Sequence, residues 1–276
     1  MEADVRVAWA RSPPGPVLRR GGRGVLGVVL VAFGILLAGC AVSGSSPTPP
    51  PSQSTDVGPA SPAGTGTVSP ASQDTPGALR YVALGDSFTT GTSVEAPERF
   101  PDQLVAALGP EPPTLRLVAN LGVNGYTSTD LIRDELPALE DLEPEFVTVL
   151  IGVNDVVQGV PLETYESNVA AILDALLARL PADRVVTVAV PDYTVTPAGA
   201  DYGDPRQQHD GIVATNAVME RLAGDRGIAY VDIFDLSLGA ADDRSLVAAD
   251  GLHPSGAQYA LWVERLAPVV ERLIAP

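Results

Sequence analysis

Residues 80–90 read Arg80-Tyr81-Val82-Ala83-Leu84-Gly85-Asp86-Ser87-Phe88-Thr89-Thr90, and the reading of this stretch decides the fold. Tyr81–Leu84 is a short, apolar, β-rich run. It stops at a glycine, the residue that permits a sharp turn. An acid and a serine follow at once. A polar turn behind a wholly apolar strand is what the carboxyl edge of a buried parallel sheet looks like, and open α/β sheets bind ligands at that edge. Two readings of Ser87 are open at this point: the cap of a following helix, or a nucleophile presented at the sheet edge. The stretch holds no G-x-S-x-G elbow.

Working outward, four more strand candidates repeat the apolar pattern: Leu115–Asn120, Phe146–Ile151, Val185–Val190 and Ile228–Ile233. Helix candidates alternate with them. Phe100–Leu108 follows the first strand, and Thr127–Leu139 opens with Thr127 and Asp130 at capping-box spacing. Leu162–Leu180 carries apolar residues at helical spacing, Gln207–Ala223 is a weaker candidate, and Ser255–Ile274 opens with Ser255 and Gln258 as a second capping box. Short strands alternating with helices predict an α/β fold, a three-layer α/β/α sandwich around a five-stranded parallel sheet.

The chain has 276 residues, enough for one large domain with a sizeable core. Its 17 basic residues are all Arg, against 34 acids, for a net charge of −17. A chain this acidic lacks the clustered cations that nucleic acid requires, so no nucleic-acid partner is expected. A single Cys excludes an intramolecular disulfide and a cysteine-based zinc cluster, and two His leave little room for a metal site, so no cofactor is expected.

The two ends of the chain differ in character. Arg19, Arg20 and Arg23 precede an apolar run from Val25 to Ala38, short for a membrane span and of the length of a secretory core region. The residues after Arg19-Arg20 fit twin-arginine export poorly. The run ends in Leu37-Ala38-Gly39-Cys40, which resembles the lipobox of bacterial lipoproteins. That resemblance implies a signal peptide over 1–39 and a lipid anchor on Cys40, the only cysteine. It places the protein outside the cell, on the outer face of the bacterial membrane. Residues 41–78 hold 8 Pro, 13 Ser or Thr and 5 Gly among 38 residues, a composition that cannot offset its ordering entropy by burial. With Cys40 they read as a tether, 40–78, reaching on the order of 100 Å when extended. The globular domain is expected over 79–276.

A serine nucleophile needs a base. His209 lies in a polar stretch, Gln-Gln-His-Asp, and reads as a solvated loop side chain. His253 lies in Asp250-Gly251-Leu252-His253-Pro254, between the fifth strand and the last helix. Three residues across a Gly-containing turn let Asp250 accept from Nδ1 and leave Nε2 to take a proton. A turn-stabilising Asp and a metal pair are the other readings. Asn120-Leu121-Gly122-Val123-Asn124-Gly125 follows the second strand and Gly152-Val153-Asn154-Asp155 the third. Both bring backbone N–H groups or an amide to the same edge, donors suited to an oxyanion hole.

The ordered blocks G-D-S-F, N-x-G-x-x-G, G-V-N-D and D-x-x-H-P resemble those of the SGNH (GDSL-type) hydrolases, with Phe88 where the family name has Leu. The resemblance implies a flavodoxin-like sheet and a metal-free serine esterase. Carried over by motif, it makes Ser87 the nucleophile and an oxyanion donor, Gly125 and Asn154 further donors, and Asp250 and His253 the rest of a triad. Asp86 and Asp155 are rival acids. The expected substrate is an ester of a lipid, a glycan or a small molecule. The loop 191–211, with Tyr193 and Tyr202, and the segment Thr89–Arg99 are expected at the pocket rim, and their polarity favours short acyl groups. A lysophospholipase or thioesterase, and a non-catalytic binding lipoprotein on the same scaffold, are the alternatives. A monomer is expected.

Overall fold

The computed structural model describes residues 77–276. The expected signal peptide, Cys40 and all but the end of the tether lie outside the described residues.

Five strands form one parallel sheet in the order β2-β1-β3-β4-β5. They are β1 (Ala78–Gly85), β2 (Thr114–Asn120), β3 (Phe146–Leu150), β4 (Val185–Val188) and β5 (Ala229–Val231). β1 is hydrogen-bonded to both β2 and β3, so the winding reverses direction at β1 and opens a crevice beyond its carboxyl end.

Alternate residues of each strand feed two cores. Tyr81 and Ala83 of β1 and Phe146 of β3 face a layer built by α2 (Phe100–Leu108) and α9 (Gly256–Ile274), where Phe100, Leu104, Tyr259, Trp262 and Leu266 are buried. Val82, Leu84, Val147 and Val149 face the opposite layer, made by α6 (Leu162–Leu177), α7 (Pro205–Gly224) and the segment Ser128–Leu142. Strands covered on both faces read as continuous apolar runs, which is why they are visible in the sequence. Among the described residues no helix is long and apolar enough to cross a membrane.

The sequence expectations differ from the structure at identifiable places. β4 stops at Val188, short of Val190, because the Asn216 side chain of α7 takes both backbone groups of Val190 at 2.8 and 2.9 Å. β5 likewise covers only Ala229–Val231. The expected helix 127–139 is three pieces: α3 (Ser128–Asp130), a π turn over Leu131–Glu135, and α4 (Leu136–Leu142). Thr127 and Asp130 do form the capping box. At α9, Ser255 Oγ accepts from Gln258 N at 3.4 Å, but the Ser255 N–H is taken by Leu246 O at 2.9 Å, so the second box is one-sided. The loop 191–211 ends early, since Asp204 caps α7 with Pro205 in its first turn.

One glycine fixes the edge of the sheet. Gly85 sits at φ +149, and a Cβ there would lie 2.1 Å from Leu150 O and 2.4 Å from Thr89 Oγ1. Gly85→Ala should therefore cost on the order of 2–4 kcal/mol through strain and overlap. For a domain of this size that lowers Tm by roughly 5–15 °C. A thermal melt unchanged from the parent would contradict this account of the turn.

Candidate active site

The reversal at β1 brings the ends of β1, β2 and β3 around one crevice, and each contributes. After β1, Asp86 caps the short helix α1 (Ser87–Thr90) by accepting from Phe88 N at 2.9 Å. Ser87 is thus the first helical residue, and its N–H has no partner within the helix. The cap and nucleophile readings divide between neighbours: Asp86 is the cap, and Ser87 lines the pocket.

After β2, the loop 121–126 is tied to β1 by Val123 N donating to Gly85 O at 3.2 Å. Asn120 locks it further, giving its amide N–H to Thr89 O at 2.7 Å and accepting from Gly122 N at 3.1 Å. Gly125 has φ +83 with open space where a side chain would stand, and among the described residues its N–H makes no hydrogen bond. After β3, Asn154 in α5 (Val153–Val157) donates from Nδ2 to Tyr126 O at 3.0 Å and, at the long distance of 3.4 Å, to Asp86 Oδ2.

The fourth contribution comes from the turn before α9. Asp250 Oδ1 accepts from Leu252 N at 2.9 Å and His253 N at 3.0 Å. Its Oδ2 accepts from Ser93 Oγ at 2.7 Å and lies 2.6 Å from His253 Nδ1. Partial burial opposes ionisation of Asp250, but the Leu252, His253 and Ser93 donors outweigh it and hold the carboxyl at about 2. The His253 ring rests against Phe88, centroids 5.1 Å apart.

Ser87, Gly125, Asn154 and His253 line a single pocket of about 290 Å³, while Asp250 stands behind the histidine. Phe88, Val153, Val157 and Leu252 give it apolar walls, and the buried Tyr193 and the exposed Tyr202 line it as well. The two tyrosines pack edge to face at 5.9 Å, and Tyr193 OH is anchored on Gln208 Oε1 at 2.6 Å. Among the described residues no hydrogen bond joins the Ser87 hydroxyl to His253. Such contacts are often loose without substrate and tighten when it binds.

The rival acids are engaged elsewhere. Asp155 accepts Ser128 N and Oγ at 2.9 and 2.5 Å. Asp86 is wholly buried beneath Ser87, and burial pushes its carboxyl up to about 7 against the Phe88 N–H bond. His209 is not the solvated loop residue expected from its polar neighbours. It lies on α7 with Nδ1 2.6 Å from Asp192 Oδ2, a buried carboxylate, but it does not line the pocket. Among the described residues no cluster of three or more His, Cys, Asp or Glu side chains could hold a metal ion.

Sequence reasoning missed Ser93, Tyr126 and Glu135. Ser93 sits at φ +67, which no residue pattern announces. Tyr126 meets Asn154 through its backbone carbonyl, a contact that its side-chain type does not announce. Glu135 had a readable signal: it is an acid on the buried stripe Leu131, Glu135, Leu139.

The sequence profile of the GDSL-like lipase/acylhydrolase family matches residues 83–261. Comparison with the curated proteins gives no match. Among solved structures, the chain is similar to a lipolytic protein of the G-D-S-L family from Veillonella parvula (TM-score 0.57, 16% identity, 70% of this chain and 98% of that one). It is also similar to a psychrotrophic esterase from Pseudoalteromonas (0.54, 20%, 70% and 97%) and an acetylxylan esterase from Geobacillus stearothermophilus (0.55, 19%, 72% and 94%).

The Asp250 carboxyl should titrate near pH 2 in a carbon-detected NMR titration. Ser93→Ala removes one donor and should move it up toward 3.8. Because the folded value is the lower one, its stabilisation is complete above about pH 4 and is lost as pH falls toward 2. A midpoint near 3.8 in the unmodified protein would show that these donors do not act on it.

Proposed function

The chain belongs to the GDSL-like lipase/acylhydrolase family, an ester-hydrolysing enzyme with the SGNH fold, and on that premise we propose that Ser87, His253 and Asp250 are its catalytic triad. Ser87 N–H, Gly125 N–H and the Asn154 amide are the oxyanion donors. The observation that carries this reading is the 2.6 Å contact between His253 Nδ1 and Asp250 Oδ2, on a histidine that shares its pocket with Ser87.

An ionised Asp250 holds the proton on Nδ1 and leaves Nε2 as the base. As Ser87 Oγ bonds to the ester carbonyl carbon, its proton passes to Nε2 and the carbonyl electrons move onto oxygen. That oxygen meets the two backbone N–H groups, free by virtue of a helix start and a glycine turn. It also meets the second Asn154 N–H, whose contact to Asp86 is long. Each such donor contributes on the order of 10²–10³ in rate. Nε2 then protonates the leaving alkoxide as the C–O bond breaks. Water repeats the sequence on the acyl-enzyme, releasing the acid and restoring Ser87.

Substrates with short acyl groups suit the site, since about 290 Å³ is at the lower end of ligand pockets, ~300–1,000 Å³. The protein is exported and held on the outer face of the membrane by a lipid on Cys40. The motif Leu37-Ala38-Gly39-Cys40 behind an apolar run supports this, as does the placing of the only cysteine there.

Ser87→Ala should abolish hydrolysis of p-nitrophenyl acetate and labelling by a fluorophosphonate, while circular dichroism stays unchanged. A panel of p-nitrophenyl esters should peak at short chains, and activity rising steadily with chain length would overturn the short-acyl reading. Cys40→Ala should move the protein from the membrane to the soluble fraction or stall its processing. A variant still lipidated and membrane-bound would sink the anchor.

A further inference from the structure

Beneath the nucleophile turn lies a carboxyl that the triad and oxyanion hole leave unused. Glu135, at the end of the π turn, is 3% exposed. Its Oε2 accepts from Gly85 N at 2.9 Å, and its Oε1 is buried without a partner. It occupies a place between Leu131 and Leu139 where an apolar side chain packs best. An acid kept in such a place, with half its bonding unmet, costs stability and calls for a reason.

Its single bond supplies one. The Gly85 peptide joins β1 to the nucleophile turn, and the Gly85 carbonyl accepts Val123 N from the loop that carries Gly125. A group that fixes this residue fixes two oxyanion donors at once, Ser87 N–H and Gly125 N–H. We infer that Glu135 is a positioning residue for ester hydrolysis, holding the Gly85 turn and through it the oxyanion hole; this rests on the triad assignment above.

The chemistry requires Glu135 to work uncharged. Burial drives its carboxyl well above the usual range, against the Gly85 N–H bond. Asp86 from the nucleophile turn, and Asp130 and Asp134 on its own helical segment, act in the same direction, the last two ion-paired to Arg133. Asp155 from α5 in turn faces Asp86. An anion here would stand behind a site where negative charge develops, and would oppose the oxyanion. Neutral Glu135 gives Gly85 an acceptor without that charge. Raising the pH ionises it and lowers the rate.

The test compares full-length Glu135→Leu and Glu135→Gln with the parent on p-nitrophenyl acetate, with Ser87→Ala alongside. Leu removes the acceptor, and should lower kcat on the order of 10- to 100-fold through misplacement, with KM within about twofold. Gln keeps an uncharged acceptor, so kcat at neutral pH should stay within about threefold of the parent, and its fall at alkaline pH should be reduced. A folded Leu variant with parental kcat overturns the inference, as does a Gln variant as impaired as Leu or with the parent's alkaline fall. If Leu fails to fold, the Gln pH profile decides alone. Activity surviving in Ser87→Ala would instead overturn the triad assignment, so the two failures are distinct.

Discussion

The geometry of the site hangs on the peptide linkage around Gly85. β1 must end with its last residue pressed against Leu150 O of β3, closer than any side chain allows. From there the chain must turn at once into α1. The carbonyl of that residue accepts a hydrogen bond from the β2 loop, and its N–H donates one to Glu135 below. Three strand ends are therefore referred to a single residue. A parallel sheet that reverses its winding at β1 makes this possible, because β1 has a neighbour on either side whose carboxyl end points the same way. Ser87, Gly125 and Asn154 keep their spacing because the sheet keeps its own.

Carboxylates around the site differ in charge by a simple rule of competing terms. Asp250 is partly exposed and accepts from four donors, so it stays ionised, held near 2. Asp86 is buried and accepts one short bond and one long one, and is pushed up to about 7. Glu135 is buried with one donor and is likewise raised well above its ordinary value. Donors favour the anion and desolvation disfavours it. The result is a negative charge behind His253, where the proposed mechanism forms an imidazolium, and suppressed charge beneath Ser87, where it forms an oxyanion. The chain-wide net charge of −17 says nothing of this, since it is a formal sum that counts every acid as ionised.

Much of the fold was legible because its parts obey local rules. Strands buried on both faces are apolar runs, and α2 was read to the residue as Phe100–Leu108 between its flanking turns. Two of the differences share a cause: a partner elsewhere in the chain takes the backbone groups first. Asn216 ends β4 by taking over the Val190 backbone from α7, 26 residues away. A capping box at Ser255 is half-made because Leu246 reaches the N–H first. The site shows the same division. Asp250 and His253 are three residues apart and pair as their spacing requires, whereas Ser93 reaches Asp250 across 157 residues. Only the acid on a leucine stripe broke a local rule visibly enough to have been found beforehand.

The two histidines show what spacing can and cannot decide. Each has a carboxylate 2.6 Å from Nδ1, so pairing alone does not single out a catalytic base. Asp192 is fixed by Thr194 N and Oγ1 and joins the loop after β4 to His209 on α7, with the ring packed against Phe234. That pair crosses 17 residues and braces the loop bearing Tyr193. Asp250 is likewise fixed by backbone donors, but its histidine opens onto a pocket shared with a serine, a free glycine N–H and an amide. The same dyad braces a loop in one place and, in the proposed mechanism, serves a reaction in the other. What separates them is position relative to the carboxyl ends of β1, β2 and β3, a property of the sheet's order and not of either motif.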